Sequence, residues 1–143
     1  MLNNLAVGTA VIGFNVLVHT LGLILTTKAV AFGISRLRIH GRRSRILAMI
    51  IVVVALFGVI SVEIWIWAGM YLWLGVLDDF ETALYFSTVT FSTIGYGDIV
   101  PSRDWRILAA LEGINGFLLI GWSTAYLVAA GTRVGPFRTG EHF

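Results

Sequence analysis

The clearest chemistry in this sequence belongs to six consecutive residues, Thr93-Ile94-Gly95-Tyr96-Gly97-Asp98. They hold no nucleophile beside a base and no cluster of metal-binding side chains. What they offer is main-chain oxygen. Two glycines at alternate positions permit backbone angles closed to other residues. If every second residue takes a mirror-image conformation, successive carbonyls all point to one side of the strand. Five extended residues then advance about 15 Å, with oxygens roughly 3 Å apart. Four such strands around an axis form a column of oxygen cages able to replace the water around a dehydrated monovalent cation. Enzymatic chemistry is not offered elsewhere: the chain has no cysteine, and His19, His40 and His142 are scattered over an apolar run, a loop and the terminus.

Such a segment needs a support that enters the membrane and returns. The apolar stretch before it is too short to span a bilayer but long enough to dip in. Asp78, with Glu81 three residues later, reads as a capping-box-like helix start, and both acids suit the positive end of a helix dipole. A helix from Phe80 to Ser92 descends roughly 18 to 20 Å. Its partly negative C-terminal end then points at the pore centre and eases the cost of an ion in low dielectric.

The rest of the chain supplies membrane spans. Of its 143 residues, 57% are hydrophobic and 13% charged, and the mean hydropathy is +0.87. Soluble domains carry roughly a quarter charged residues, so a water-soluble enzyme is excluded. Residues 5–27 contain no Asp, Glu, Lys or Arg, residues 46–68 contain Glu63 alone, and residues 107–131 contain Glu112 alone. Each run meets the roughly 20 residues that a span requires. The first lacks the basic start of a signal peptide and exceeds its usual length, so it reads as a retained helix. Six of the ten Lys and Arg residues (Lys28, Arg36, Arg38, Arg42, Arg43, Arg45) lie between the first two spans. That segment is expected to be cytoplasmic, which places the N-terminus outside and the C-terminus inside. It reads as a topology anchor and a contact for anionic lipid rather than a voltage sensor. The basic pI of 9.4 follows from this distribution and not from nucleic-acid binding. Trp65, Trp67, Tyr71 and Trp73 fit an aromatic belt at the outer interface.

Thr93 to Asp98 resembles the signature of potassium channels, Thr-Val-Gly-Tyr-Gly-Asp with Ile common at the second place. The likeness runs over about residues 46–131: outer helix, pore helix, filter, a proline shortly after it, and inner helix. It implies that the carbonyls of Thr93, Ile94, Gly95 and Tyr96 coordinate potassium as the permeant ion. The Thr93 hydroxyl would add the innermost ligands, and Gly97 would close the mouth. The Tyr96 ring would pack outward against the pore helices. Tyr85 stands where the family often has Trp or Tyr, and its hydroxyl is placed to bond Asp98 behind the filter. Phe86 departs from members with Trp or Tyr there and offers Tyr96 no hydrogen bond. One chain carries one filter strand, so closed symmetry implies a homotetramer.

In the third span, the resemblance points to Gly116 as a gating hinge; close helix packing by small residues is the alternative. Below it Phe117, Ile120, Thr124 and Val128 recur at helical spacing and are candidates to line an inner cavity. Glu63 and Glu112 are expensive inside a membrane. Counted from the ends of their spans they reach similar depths, so they are expected to approach each other, as a pH sensor or as a structural hydrogen-bonded pair. Asn15 and His19 share a helical face with Gly22 and Thr26, a stripe expected to pack against another helix.

The expected fold is all-α: three transmembrane helices, a re-entrant pore helix and a filter, assembled as a four-fold tetramer in a plasma (bacterial inner) membrane. Residues 1–27 form the first helix and 28–45 the basic cytoplasmic loop. Residues 46–131 form the pore domain, divided into outer helix 46–76, pore helix 79–92, filter 93–97 and inner helix 106–131. Residues 132–143 form a short cytoplasmic tail. The expected function is passive potassium permeation without cofactor. A weakly selective cation channel and a non-conducting channel-like scaffold are the alternatives.

Overall fold

A computed structural model describes the backbone of residues 2–37 and 42–136, with side chains over 4–33 and 43–136. The described residues are all-α: α1 (Leu2–Leu37), α2 (Arg42–Trp73), α3 (Phe80–Phe91) and α4 (Arg106–Arg133). In hydrocarbon, each backbone polar group must be satisfied within its own segment, and a helix does this. Helices α1, α2 and α4 are each long and apolar enough to cross a membrane. Helix α3 is a twelve-residue insertion between two of them.

The long helices run past their apolar stretches. Lys28 and Arg36 lie on α1, and Arg42, Arg43 and Arg45 on α2, so the basic segment is mostly helical and not a loop over 28–45. Hydropathy marks only the hydrocarbon, whereas a helix keeps its hydrogen bonds through the interface. Arg38 lies outside the described residues, as do the side chains of Arg36 and Arg42. At its other end α2 stops at Trp73 rather than residue 76. Gly75 takes φ +66°, and the Val76 N–H reaches back to the Tyr71 carbonyl at 2.9 Å, a glycine-terminated helix end. Helix α3 is capped by Asp79 and not Asp78: the Asp79 carboxylate accepts from the Thr82 N–H at 2.9 Å. Thr82 occupies the third helical position counted from Asp79, the reach of a capping side chain.

Helix α1 packs against α2 and α4, and α3 packs against the same two helices without touching α1. The buried stripe of α1 runs through Asn4, Gly8, Val11, Asn15, His19, Leu23, Thr26 and Val30, the three-and-four spacing of one helical face. Asn15, His19 and Thr26 of the expected polar stripe are thus interior, and Gly22 brings α1 onto Val59. One apolar cluster, with Trp67, Tyr71, Phe86, Phe91 and Leu108, holds α3 between α2 and α4. A second, with Leu23, Val30, Ala48, Val52 and Leu56, closes the other end of the bundle.

Tyr71 and Trp67 correct the expected aromatic belt. Both are fully buried, whereas Trp65 and Trp73 are exposed. Residues 67 and 71 stand one turn apart on the inward face of α2, and 65 and 73 point away from it.

Candidate functional site

The segment after α3 is built by its backbone. Thr93, Gly95 and Gly97 take φ of 62°, 57° and 75°. Every second residue is therefore left-handed, the alternation that turns successive carbonyls to one side. Glycine accepts this conformation freely, but Thr93 carries a Cβ and does so under strain. Hydrogen bonds fix the base of the strand. Thr93 N–H donates to the Thr90 carbonyl at 3.0 Å, and the Ile94 and Gly95 N–H groups donate to the Val89 carbonyl at 3.0 and 3.2 Å. These three amides are tied to the end of α3.

At the outer end the Tyr85 hydroxyl donates to the Asp98 carboxylate at 2.7 Å. This bond holds the Asp98 carboxyl below the ordinary carboxylate range. The Asp79 carboxyl is lowered likewise, by the Thr82 amide it caps. Phe86 is buried and meets Tyr71 edge-on, with ring centroids 5.2 Å apart. It serves the packing of α3 on α2 and has no polar contact with Tyr96. The Tyr96 ring is 70% exposed in the single chain, and Ile94 is 56% exposed. Beside them a recess of about 220 Å³ lies between α3 and the returning strand, lined by Phe86, Val89 and Gly95 among others.

Gly116 lies where α4 crosses the end of α3. A Cβ there would fall 1.9 Å from the Phe91 carbonyl oxygen and 2.7 Å from its carbon. Close packing accounts for this glycine, because no side chain fits between the two backbones. Of the expected cavity residues, Phe117, Thr124 and Val128 are exposed on one face of α4, while Ile120 is half-buried and packs against the central apolar cluster. The Thr124 hydroxyl donates to the Ile120 carbonyl at 2.9 Å.

Glu63 and Glu112 do not form a pair. Glu63 meets His19 of α1, with Oε1 to Nδ1 at 2.8 Å and both side chains fully buried. The His19 ring also lies 5.2 Å from the Trp122 ring of α4, so three helices meet there. Glu112 instead accepts from the Tyr71 hydroxyl at 2.6 Å and from the Ser87 hydroxyl. Ser87 also lies 3.0 Å from the Ile64 carbonyl, which links α2, α3 and α4. Depth along a helix can be counted in a sequence; direction around it cannot be counted as easily. Glu63 and Ile64 are neighbours in the chain yet about 100° apart around the axis. The first therefore faces α1, and the second faces the serine that holds Glu112.

Tyr71, Ser87 and the His19–Glu63 contact were not legible as functional features. One signal pointed to them: a carboxyl inside a span requires a polar partner, and His19, Ser87 and Tyr71 are polar groups on neighbouring helices. Among the described residues no group of three or more His, Cys, Asp or Glu could hold a metal through its side chains.

Residues 49–133 match the family model described as "Ion channel". A calcium-gated potassium channel of Thermoplasma volcanium, TvoK, is 39% identical over 54 residues, which is 37% of this chain and 16% of that one. A two-pore potassium channel 1 of Arabidopsis thaliana is 48% identical over 48 residues, 33% of this chain and 12% of the other. The matched stretches thus cover less than a fifth of these relatives' lengths. No solved structure gave a significant match.

Proposed function

From the premise that this chain belongs to the ion channel family, we propose that four copies surround one axis and pass potassium down its electrochemical gradient. The observation that carries this reading is the alternation of left-handed φ at Thr93, Gly95 and Gly97. Stacked carbonyls from Thr93, Ile94, Gly95 and Tyr96 replace the hydration shell of a potassium ion, and the Thr93 hydroxyls add the innermost oxygens. A smaller sodium ion would gain less from oxygens held at that spacing. The relatives named as potassium channels support the choice of ion. Exposed Ile94 and Tyr96 support the assembly, since apolar side chains left bare in one chain are covered by its neighbours. The recess behind the filter is where the ring of a neighbouring Tyr96 would lodge.

The basic segment between α1 and α2 favours a cytoplasmic position, with the N-terminus outside and the filter opening outward. Exposed Arg43 and Arg45 at the start of α2 then lie at the inner surface, within reach of anionic lipid. Below the filter, Phe117, Thr124 and Val128 face the axis.

Flux from the purified chain in liposomes tests the reading. Potassium efflux with a reversal potential following the potassium gradient, abolished by Gly95→Asp, is the expected result. Equal sodium and potassium permeability would make the pore a weakly selective one. No flux, with an assembled tetramer in the same vesicles and a closed gate excluded, would leave only a scaffold.

A further inference from the structure

A groove of about 500 Å³ runs between α1 and α2. Its floor is the contact of Gly22 with Val59, where a Cβ on the glycine would lie 2.5 Å from a valine methyl. Its walls include Val18, Leu25 and Ala29 of α1 and Ala55, Gly58 and Val62 of α2. The one polar wall residue, Thr26, returns its hydroxyl to the Gly22 carbonyl at 2.8 Å, so the groove presents no free donor. From Val18 to Ala29 the helix advances ~16 Å, about half of a 30 Å hydrocarbon core. The groove therefore matches one leaflet in length, and it lies on two spans whose surroundings are acyl chains.

Lys28 supplies the polar end. It follows Leu25 by one turn and Leu21 by two, on the face those groove residues share. Its side chain is exposed, and among the described residues no carboxylate pairs with it. A lysine stem lies along apolar surface and carries its ammonium toward the interface.

We propose that this groove binds one acyl chain of an anionic phospholipid, in the leaflet nearest the basic segment, with the headgroup phosphate held by Lys28. Acyl chains gain no hydrophobic free energy by leaving other acyl chains. Shape therefore supplies residence in the groove, and Lys28 supplies the preference for negative headgroups. The lipid would complete the α1–α2 contact, which the two helices leave open above Gly22 and Val59. This rests on the membrane-spanning fold and not on the choice of permeant ion.

Gly58 makes the site testable, because a Cβ there meets nothing within 4 Å. Gly58→Leu puts an apolar side chain into the groove at a position whose Cβ meets neither helix. The measurement is native mass spectrometry of the full chain, released from detergent containing phosphatidylglycerol and phosphatidylcholine. The wild type should retain phosphatidylglycerol at one molecule per chain. Gly58→Leu should lose it at unchanged oligomer mass. Lys28→Gln should keep a bound lipid but reduce the preference for phosphatidylglycerol about fivefold, the worth of one lysine near the bilayer surface. Three results would overturn the site: retention unchanged by Gly58→Leu, a headgroup preference unchanged by Lys28→Gln, or a helix of a neighbouring copy seated in the groove in the assembled protein.

Discussion

Asp98 illustrates how much one hydrogen bond decides. Its carboxylate sits at the open end of the filter strand, and the Tyr85 hydroxyl lowers its pKa. A carboxyl depressed in the folded state contributes stability that is present above the ordinary aspartate value of about 3.9 and lost as pH falls through the folded value. The Tyr85–Asp98 contact is therefore intact across neutral and mildly acidic pH and breaks only below the usual carboxylate range. Carboxyl-carbon NMR of Asp98 should show titration below that of a free aspartate, and in Tyr85→Phe the midpoint should rise toward about 3.9. An unchanged midpoint would mean that the tyrosine does not hold the group. This pair was legible through the resemblance to potassium channels, and its residues lie 13 positions apart. The partners of Glu63 and Glu112 lie 44, 41 and 25 positions away. Their choice depends on which way each helix is rotated, so only the need for a partner was readable.

Among the helices, α3 is held by α2 and α4, and one close contact with α4 fixes its end. Gly116 admits the Phe91 backbone. Gly116→Ala should lower the thermal stability of the assembled protein by roughly 1–3 kcal/mol or more. In contrast, Gly13→Ala, on an open face of α1, should be neutral or stabilising by about 0.5–1 kcal/mol. If both variants melt alike, the close approach has no energetic weight. Helix α1 offers the second test. With His19→Ala, the Glu63 carboxyl is left buried without its partner, and the expected loss is about 1–3 kcal/mol, while replacement of both by leucine should cost far less or stabilise. Thermal unfolding in micelles measures both. The spans, the re-entrant helix and the filter were readable because hydropathy, capping and glycine spacing are local signals. The helix ends were less so, since Leu37 and Arg42 lie beyond the apolar runs that defined the spans. Trp67 and Tyr71 were misplaced because an aromatic residue near a span end suits both a belt and a core; the inward face of α2 decided for the core.

At the scale of the whole molecule, the proposed function makes a single chain an incomplete pore. Tyr96 and Ile94 are bare in the single chain. A cage that surrounds an ion requires copies related by rotation, and closed symmetry determines how many strands share one axis. The number can be counted without resolving the assembly. Gly95→Asp places a side chain and a charge where the backbone is left-handed, on the strand proposed to line the ion path, so one such strand should block the whole column. When wild-type and Gly95→Asp chains are co-expressed in equal amounts and mix freely, the surviving potassium flux is the fraction of assemblies with no mutant strand. Four strands predict about one sixteenth of the wild-type flux, two predict about one quarter, and independent chains predict about one half. A residue near one half would mean that each chain conducts alone and that the oxygen column is not shared. About one sixteenth would mean that permeation belongs to four strands together, each supplying a quarter of every cage.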